Sequence, residues 1–153
     1  MLLRHPGAVS SLADMSPGTA FLPVLPDPAG EPDKVRRVAF VSGKHYYALA
    51  KEREARGGVA GTGVGLVRVE ALSPFPAGEI RVELARYGKG TEFMWAQEEH
   101  RNAGAWSFVA PRFENVVGVR VRYAGRGVHA TPATGVGEVH AREAKEIVDA
   151  VFS

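Results

Sequence analysis

The chain has 153 residues, enough for one domain with a real core and too few for two. Apolar residues make up 45% and charged residues 24%, the balance of a soluble globular protein, and no apolar run approaches the length of a bilayer span. The net charge is only +2 and the arginines are scattered in pairs, without the dense basic stripe of a nucleic-acid binder; the absence of cysteine excludes disulfides, cysteine-bound zinc and a thiol nucleophile.

Met1-Leu2-Leu3-Arg4-His5-Pro6 carries too short an apolar stretch for a secretory signal and does not read as the natural start of a targeted protein. Residues 1–34 hold six of the ten prolines. They read as a linker or arm lying over a neighbouring surface. Ala8 to Met15 is expected to form a short helix, and Phe21 to Pro28 an edge strand at best, because proline lacks a ladder donor. From residue 35 to 153 the text becomes regular and reads as a single domain. Val38-Ala39-Phe40-Val41 is a strand buried on both faces. Ser42-Gly43-Lys44 ends it, and Tyr46, Leu49, Ala50 and Arg53 then follow helical spacing up to Gly57-Gly58. Residues 57–65 read as a flexible glycine-rich loop. Leu66 to Val69 is a second strand. Ser73-Pro74-Phe75-Pro76 starts a helix with Ile80, Leu84 and Ala85, stopping at Gly88. Phe93 to Ala96 is a third strand, ending at an amide and two carboxylates with a polar turn to follow. Trp106, Val109, Phe113, Val116 and Val117 form a helical stripe that Pro111 should kink or start late. Val119, Val121 and Tyr123 alternate with Arg120 and Arg122 as a half-exposed fourth strand, and Ala144, Ile147, Val148 and Val151 make a closing helix. This alternation predicts a three-layer α/β/α sandwich with a mostly parallel sheet and helices on both faces.

The glycines of 58–65 follow a helix and precede a strand, the reverse of a dinucleotide fingerprint, whose helix N-terminus must face the pyrophosphate. Ser42-Gly43-Lys44 is better placed, between a buried strand and a helix, where backbone N–H groups and a lysine suit an anion. The alternative makes Ser42 an N-cap and Lys44 a solvated charge. Glu98, Glu99 and His100 are adjacent on the chain and point apart, so they do not converge on one metal, and the histidines have no ligand spacing. A structural role fits them better: one carboxylate caps a helix or meets an arginine, and the other faces an interface. Trp95, Trp106, Phe108 and Phe113 read as core, and Arg120 and Arg122 as solvated or paired with a partner.

Several stretches together resemble one family. They are Leu2-Leu3-Arg4-His5-Pro6 with Ala8 to Leu12, Ser42-Gly43-Lys44-His45-Tyr46-Tyr47, Arg68-Val69-Glu70, Ser73 to Pro76, Gln97-Glu98-Glu99-His100-Arg101-Asn102-Ala103-Gly104-Ala105-Trp106, Tyr123 to Arg126, and Pro132-Ala133-Thr134-Gly135. In family order, they resemble the C-terminal domain of the thiamine-diphosphate-dependent decarboxylase component of 2-oxoglutarate dehydrogenase. Trp106 to Val109 with Pro111 to Glu114, and Gly135 to His140, resemble the 2-oxoadipate dehydrogenase relative. The glycine-rich 57–65 and Ala103 depart from the pattern. The resemblance implies a transketolase C-terminal-like fold and a fragment of a larger enzyme. Thiamine diphosphate and magnesium would be held by upstream domains, with no catalytic residue and no cofactor on this chain. It implies, as partners, the rest of the decarboxylase component, a homodimer mate and a lipoyl acyltransferase, with no nucleic acid or membrane. Location would be the mitochondrial matrix in the eukaryotic branch and the cytoplasm otherwise. Some family members carry an effector site for acetyl-CoA or AMP in this domain, which strengthens the anion reading of Ser42, Gly43 and Lys44, with Gln97 beside them. Glu98, Glu99, Asn102 and Trp106 are then interface or structural residues.

Overall fold

The computed structural model describes residues 2–153; the expectation about Met1 lies outside them. Five strands form one sheet in the order β1-β3-β2-β4-β5: β1 (Val24–Leu25), β2 (Arg37–Val41), β3 (Val64–Val69), β4 (Glu92–His100) and β5 (Arg122–Arg126). The β3/β2, β2/β4 and β4/β5 pairs are parallel, and β1 lies antiparallel on the β3 edge, Val24 opposite Val69. A two-residue edge strand is what the surrounding prolines permit.

Strand alternation divides the core into two layers. On one face Val38, Phe40, Val67, Val69 and Trp95 meet Ile80 of α3 (Ala77–Leu84), and Val109 and Phe113 of the segment after β4. On the other, Ala39, Val41, Leu66, Met94 and Ala96 meet Leu49 of α1 (His45–Ala55) and Val151 of α5 (Gly137–Phe152). Helices therefore cover both faces of a mostly parallel sheet, as the strand–helix alternation requires.

Four local expectations are corrected. Residues 57–65 are not a loose loop: α2 (Gly58–Thr62) forms there, and β3 starts at Val64. Gly57 (φ +91°) and Gly63 (φ +66°) supply the left-handed ends of that helix, and Val59 is buried. A Cβ on Gly61 would lie 2.3 Å from the Arg56 carbonyl oxygen, so only glycine fits. The expected helix at Ala8–Met15 shrinks to a 3-10 turn at Ala13–Met15 held by Ser11 and Asp14, because Val9, Leu12 and Met15 find no surface to bury against. Strand β4 does not stop at Ala96. Its pairing with β2 ends at the Val41/Ala96 step, and Gln97 to His100 continue alongside β5, where His100 pairs with Arg126 after an irregularity in the register. The fourth strand begins at Arg122, with Val121 buried just before it.

Pro111 does not delay its helix. Helix α4 (Trp106–Arg112) starts at Trp106 and widens after Pro111 into a π turn over Phe113–Val117, ended by Gly118 at φ +88°. A proline has no N–H to give the preceding turn, and the wider turn still places Phe113 in the core.

Candidate functional site

The connections leaving β2 and β4, which are neighbours in the sheet, run to opposite faces: α1 packs on one side and α4 on the other. Their carboxyl ends therefore diverge, and a crevice opens between Ser42–His45 and Gln97–His100, where open α/β sheets bind ligands. A cleft of about 300 Å³ lies there, walled by Lys44, His45, Tyr47 and Glu98 and covered by Leu2 and His5 from the amino-terminal arm. The His5 ring packs tilted against Tyr47, with 4.1 Å between ring centroids.

Gly43 makes the turn from strand to helix at φ +66°. The residue capping α1 is Lys44, with no side-chain cap bond, so Ser42 is not an N-cap. Lys44 is not simply solvated either: its Nζ donates to Glu98 Oε2 at 2.8 Å across the mouth of the crevice. Behind it His45 is buried, and its Nε2 has no hydrogen-bond partner among the described residues. Burial pushes the His45 imidazole below its ordinary pKa; the Glu98 carboxylate opposes this, and the Lys44 and Arg126 cations add to it. The cleft thus holds a balanced ion pair and a neutral buried imidazole in place of a bare cation.

The structure brings Lys44 and Glu98 together and leaves Gln97 apart from them. The Gln97 side chain is buried on the α4 side. Its Oε1 accepts from Trp95 Nε1 at 3.0 Å and from the Trp106 N–H at 2.9 Å, and its Nε2 donates to the Glu99 and His100 carbonyls. All the capacity of this amide goes into shaping the turn from β4 to α4, and Gly104 must lack a side chain because a Cβ there would meet Gln97 Nε2 at 2.2 Å. Glu99 is exposed and has no ion pair among the described residues. Asn102 clamps the backbone of His129, donating to its carbonyl at 2.8 Å and accepting from its N–H at 3.1 Å. Trp106 packs on Tyr123, with the Arg101 guanidinium over both rings.

Sequence reasoning missed the densest polar cluster. Arg126, at the end of β5, is buried. Its Nε donates to the Glu98 carbonyl at 2.8 Å, its Nη2 lies 3.0 Å from His140 Nδ1, and it pairs with Glu143 of α5. Thr134 donates to Glu143 at 2.8 Å and lies 3.4 Å from Nε2 of the buried His100. Spacing held no signal for this set, since its members come from two strands, a loop and a helix. The available hint was an arginine directly after the small residues Ala124 and Gly125 at a strand end. Among the described residues no group of three or more His, Asp or Glu side chains is placed to hold a metal ion, and no helix is long and apolar enough to cross a membrane.

Comparison with known proteins gives this geometry a family. The model of the 2-oxoglutarate dehydrogenase C-terminal family matches residues 9–152. A probable 2-oxoadipate dehydrogenase complex component E1 homolog of Caenorhabditis elegans is 46% identical over 100% of this chain and 17% of its own length. The human 2-oxoadipate dehydrogenase complex component E1 is 42% identical over 100% of this chain and 16% of its own. The mitochondrial 2-oxoglutarate dehydrogenase of C. elegans is 43% identical over 99% of this chain and 15% of its own. The chain thus spans about a sixth of the length of these relatives. A solved split-gene transketolase, an inactive β4 tetramer, superposes with a TM-score of 0.55 over 89% of this chain and 44% of that one; at 18% identity this shows a shared fold. With nearly the whole chain matched and relatives above 40% identity along its full length, this protein belongs to the 2-oxoglutarate dehydrogenase C-terminal domain family.

Proposed function

We propose that this chain is the C-terminal assembly domain of the thiamine-diphosphate-dependent decarboxylase component of a 2-oxo acid dehydrogenase. In this reading residues 1–34 lead into the domain of residues 35–153, the stretch before β1 lying as an arm and β1 itself joining the edge of the sheet. Together they bury surface against the preceding domains and a homodimer mate. The whole enzyme decarboxylates 2-oxoglutarate or 2-oxoadipate and passes the acyl group to a lipoyl acyltransferase, in the mitochondrial matrix where the source is eukaryotic. Both substrates are kept, because relatives named for each stand at 42–47% and 43% identity.

One observation carries the reading. Leu3, Val9, Leu12, Met15, Phe21 and Leu22 of the arm are exposed, Phe21 fully. Covering each such side chain is worth roughly 1.5–3 kcal/mol, and a row of them points to a missing surface. In this reading, thiamine diphosphate and magnesium are assigned to the preceding domains on the family resemblance, and the groups that act on the substrate are assigned there with them. Glu98, Glu99, Asn102 and Trp106 act in this reading as docking and shaping residues. The test is decarboxylation of 2-oxoglutarate and 2-oxoadipate with thiamine diphosphate and magnesium, by the 153-residue chain and by the full-length enzyme that carries it. Turnover is expected only in the full-length enzyme, and measurable turnover by the chain alone would overturn the proposal.

A second reading rests on His45, which lines the cleft and whose buried Nε2 has no hydrogen-bond partner among the described residues. We propose this cleft as an effector site for an anionic or nucleotide ligand such as acetyl-CoA or AMP, with Lys44 as the cation and Ser42 and Gly43 shaping the approach. Since Lys44 is engaged by Glu98, the ligand must compete with that carboxylate. Titration of acetyl-CoA and AMP should show weaker binding to Lys44→Ala and tighter binding to Glu98→Gln than to wild type. Equal or absent binding across the three proteins would end this reading.

A further inference from the structure

We propose that the open edge of β5 docks an extended acidic segment of a partner protein, which joins the sheet there as a further strand. The two edges of the sheet are treated differently. At one, the proline-flanked β1 lies antiparallel on β3 and closes it. At the other, β5 pairs with β4 alone. Beyond that ladder, no other backbone group among the described residues bonds the backbone of residues 122–125. Unpaired N–H and C=O groups along an edge strand are a template for another chain. The edge lies outside the crevice and the amino-terminal arm, so the proposal depends on neither reading above.

Charge selects the segment. Residues 101–126 hold five arginines and one carboxylate, Glu114, a net charge of +4 in a chain whose total is +2, so all the other residues sum to −2. Arg126 is buried against Glu143, while Arg101, Arg112, Arg120 and Arg122 reach the surface. Arg120 is answered by Glu114. Arg122 has only Glu92, at 3.4 Å, and that carboxylate is already held by Arg37 at 2.9 Å. Arg101 makes no ion pair among the described residues; its guanidinium lies 5.1 Å from the centroid of Tyr123 and 5.5 Å from that of Trp106.

The under-answered cations flank the edge on both faces of the sheet. Arg122 pairs with Met94, of the layer under α1 and α5, and Tyr123 pairs with Trp95, of the layer under α4. On the second face Tyr123 lies along its own strand, its hydroxyl donating to the Arg126 carbonyl at 2.7 Å, and Trp106 packs beside it. A strand added to β5 sends alternate side chains to these two faces. Carboxylates on one face meet Arg122. Those on the other meet Arg101 above an aromatic platform, and tryptophan, tyrosine and arginine are the residue types that anchor interfaces. A second copy pairing through its own β5 would instead set arginines against arginines, which destabilises the pairing.

The probe is a fluorescein-labelled peptide of about eight residues, with glutamates and threonines in alternating pairs so that both of its faces carry carboxylates. Fluorescence anisotropy measures its binding to the 153-residue chain. Arg122→Glu and Arg101→Glu, one on each face, should each weaken binding by about fivefold, with an unchanged circular dichroism spectrum. Lys51→Glu, exposed on α1, makes the same change in net charge and should leave binding as it is. A peptide with lysine for glutamate should not bind. Nor should the acidic peptide N-methylated throughout, which keeps the charge and loses the strand donors. Hydrogen exchange of residues 122–125 should slow when the acidic peptide is added. Absent binding of that peptide, retained binding of its N-methylated form, equal losses in the three variants, or a loss confined to one face overturns the proposal. Self-association of the wild type that the peptide reverses would seat a second copy at the edge, and overturns the acidic partner.

Discussion

Replacing Asp27 by alanine tests how residues 24–30 are bound to the rest of the protein. The Asp27 carboxylate is buried and pairs with Arg53 of α1, itself buried. It also accepts the buried Leu66 N–H of β3 at 2.8 Å and the Ala29 N–H at 3.0 Å. One side chain thus ties the segment after β1 to a helix and to a central strand. Removing it leaves the Arg53 guanidinium in the core with only the Val64 carbonyl at 3.4 Å and the exposed Glu54 carboxylate at 3.8 Å near it. Breaking a buried pair from one side costs about 3–5 kcal/mol, most of it the stranded charge. The Leu66 N–H, left without an acceptor, overlaps with that cost, and the expected total is about 4 kcal/mol. With a urea slope of about 2 kcal/mol per molar for a domain of this size, the midpoint should fall by about 2 M. Asp27→Ala combined with Arg53→Met removes both charges, and should recover most of the loss, to within about 1–2 kcal/mol of wild type. Urea unfolding followed by far-UV circular dichroism measures all three. A midpoint shift below about 0.5 M for the single variant, or a double variant no better than the single, would refute the stranded-charge argument.

Phe113→Ala removes the side chain on which Phe40 and Phe75 pack, at 5.0 and 5.6 Å, and should cost about 3–5 kcal/mol in the same assay. Gly104→Ala drives a methyl into the fully engaged Gln97 amide and should destabilise by about 1–3 kcal/mol, despite the conservative change. The pH dependence of stability carries a third signature. Because burial lowers the His45 pKa, the folded state binds fewer protons than the unfolded chain below the ordinary imidazole pKa. The contribution of neutral His45 is complete above about pH 6.5 and is lost as pH falls toward the lowered folded value. Urea midpoints should therefore drop less between about pH 7.5 and 5.5 in His45→Gln than in wild type, and equal drops would remove His45 as the cause.

The sequence by itself determined the layered α/β/α architecture, because a run such as Val38-Ala39-Phe40-Val41 can only be a strand covered on both faces, and each such run is followed by text of helical period. It also determined the edge position of the proline-flanked Val24–Leu25 and the core roles of Trp95 and Phe113, through elementary limits on backbone donors and apolar burial. It carried the family as well, in blocks spread along the chain. Tertiary structure decided what periodicity does not encode. The strand order placed β2 beside β4, and only that neighbourhood brings Lys44 to Glu98 across 54 positions of sequence. The end of the β2 ladder at Ala96 turned Gln97 into the buried brace of a turn, away from the cleft where its sequence neighbours stand. Arg126 gathered His140, Glu143, Thr134 and the Glu98 carbonyl from separate elements. Local pattern reflects which face of an element is buried; which polar groups then meet depends on how the elements stack, and that is settled only when the whole chain packs.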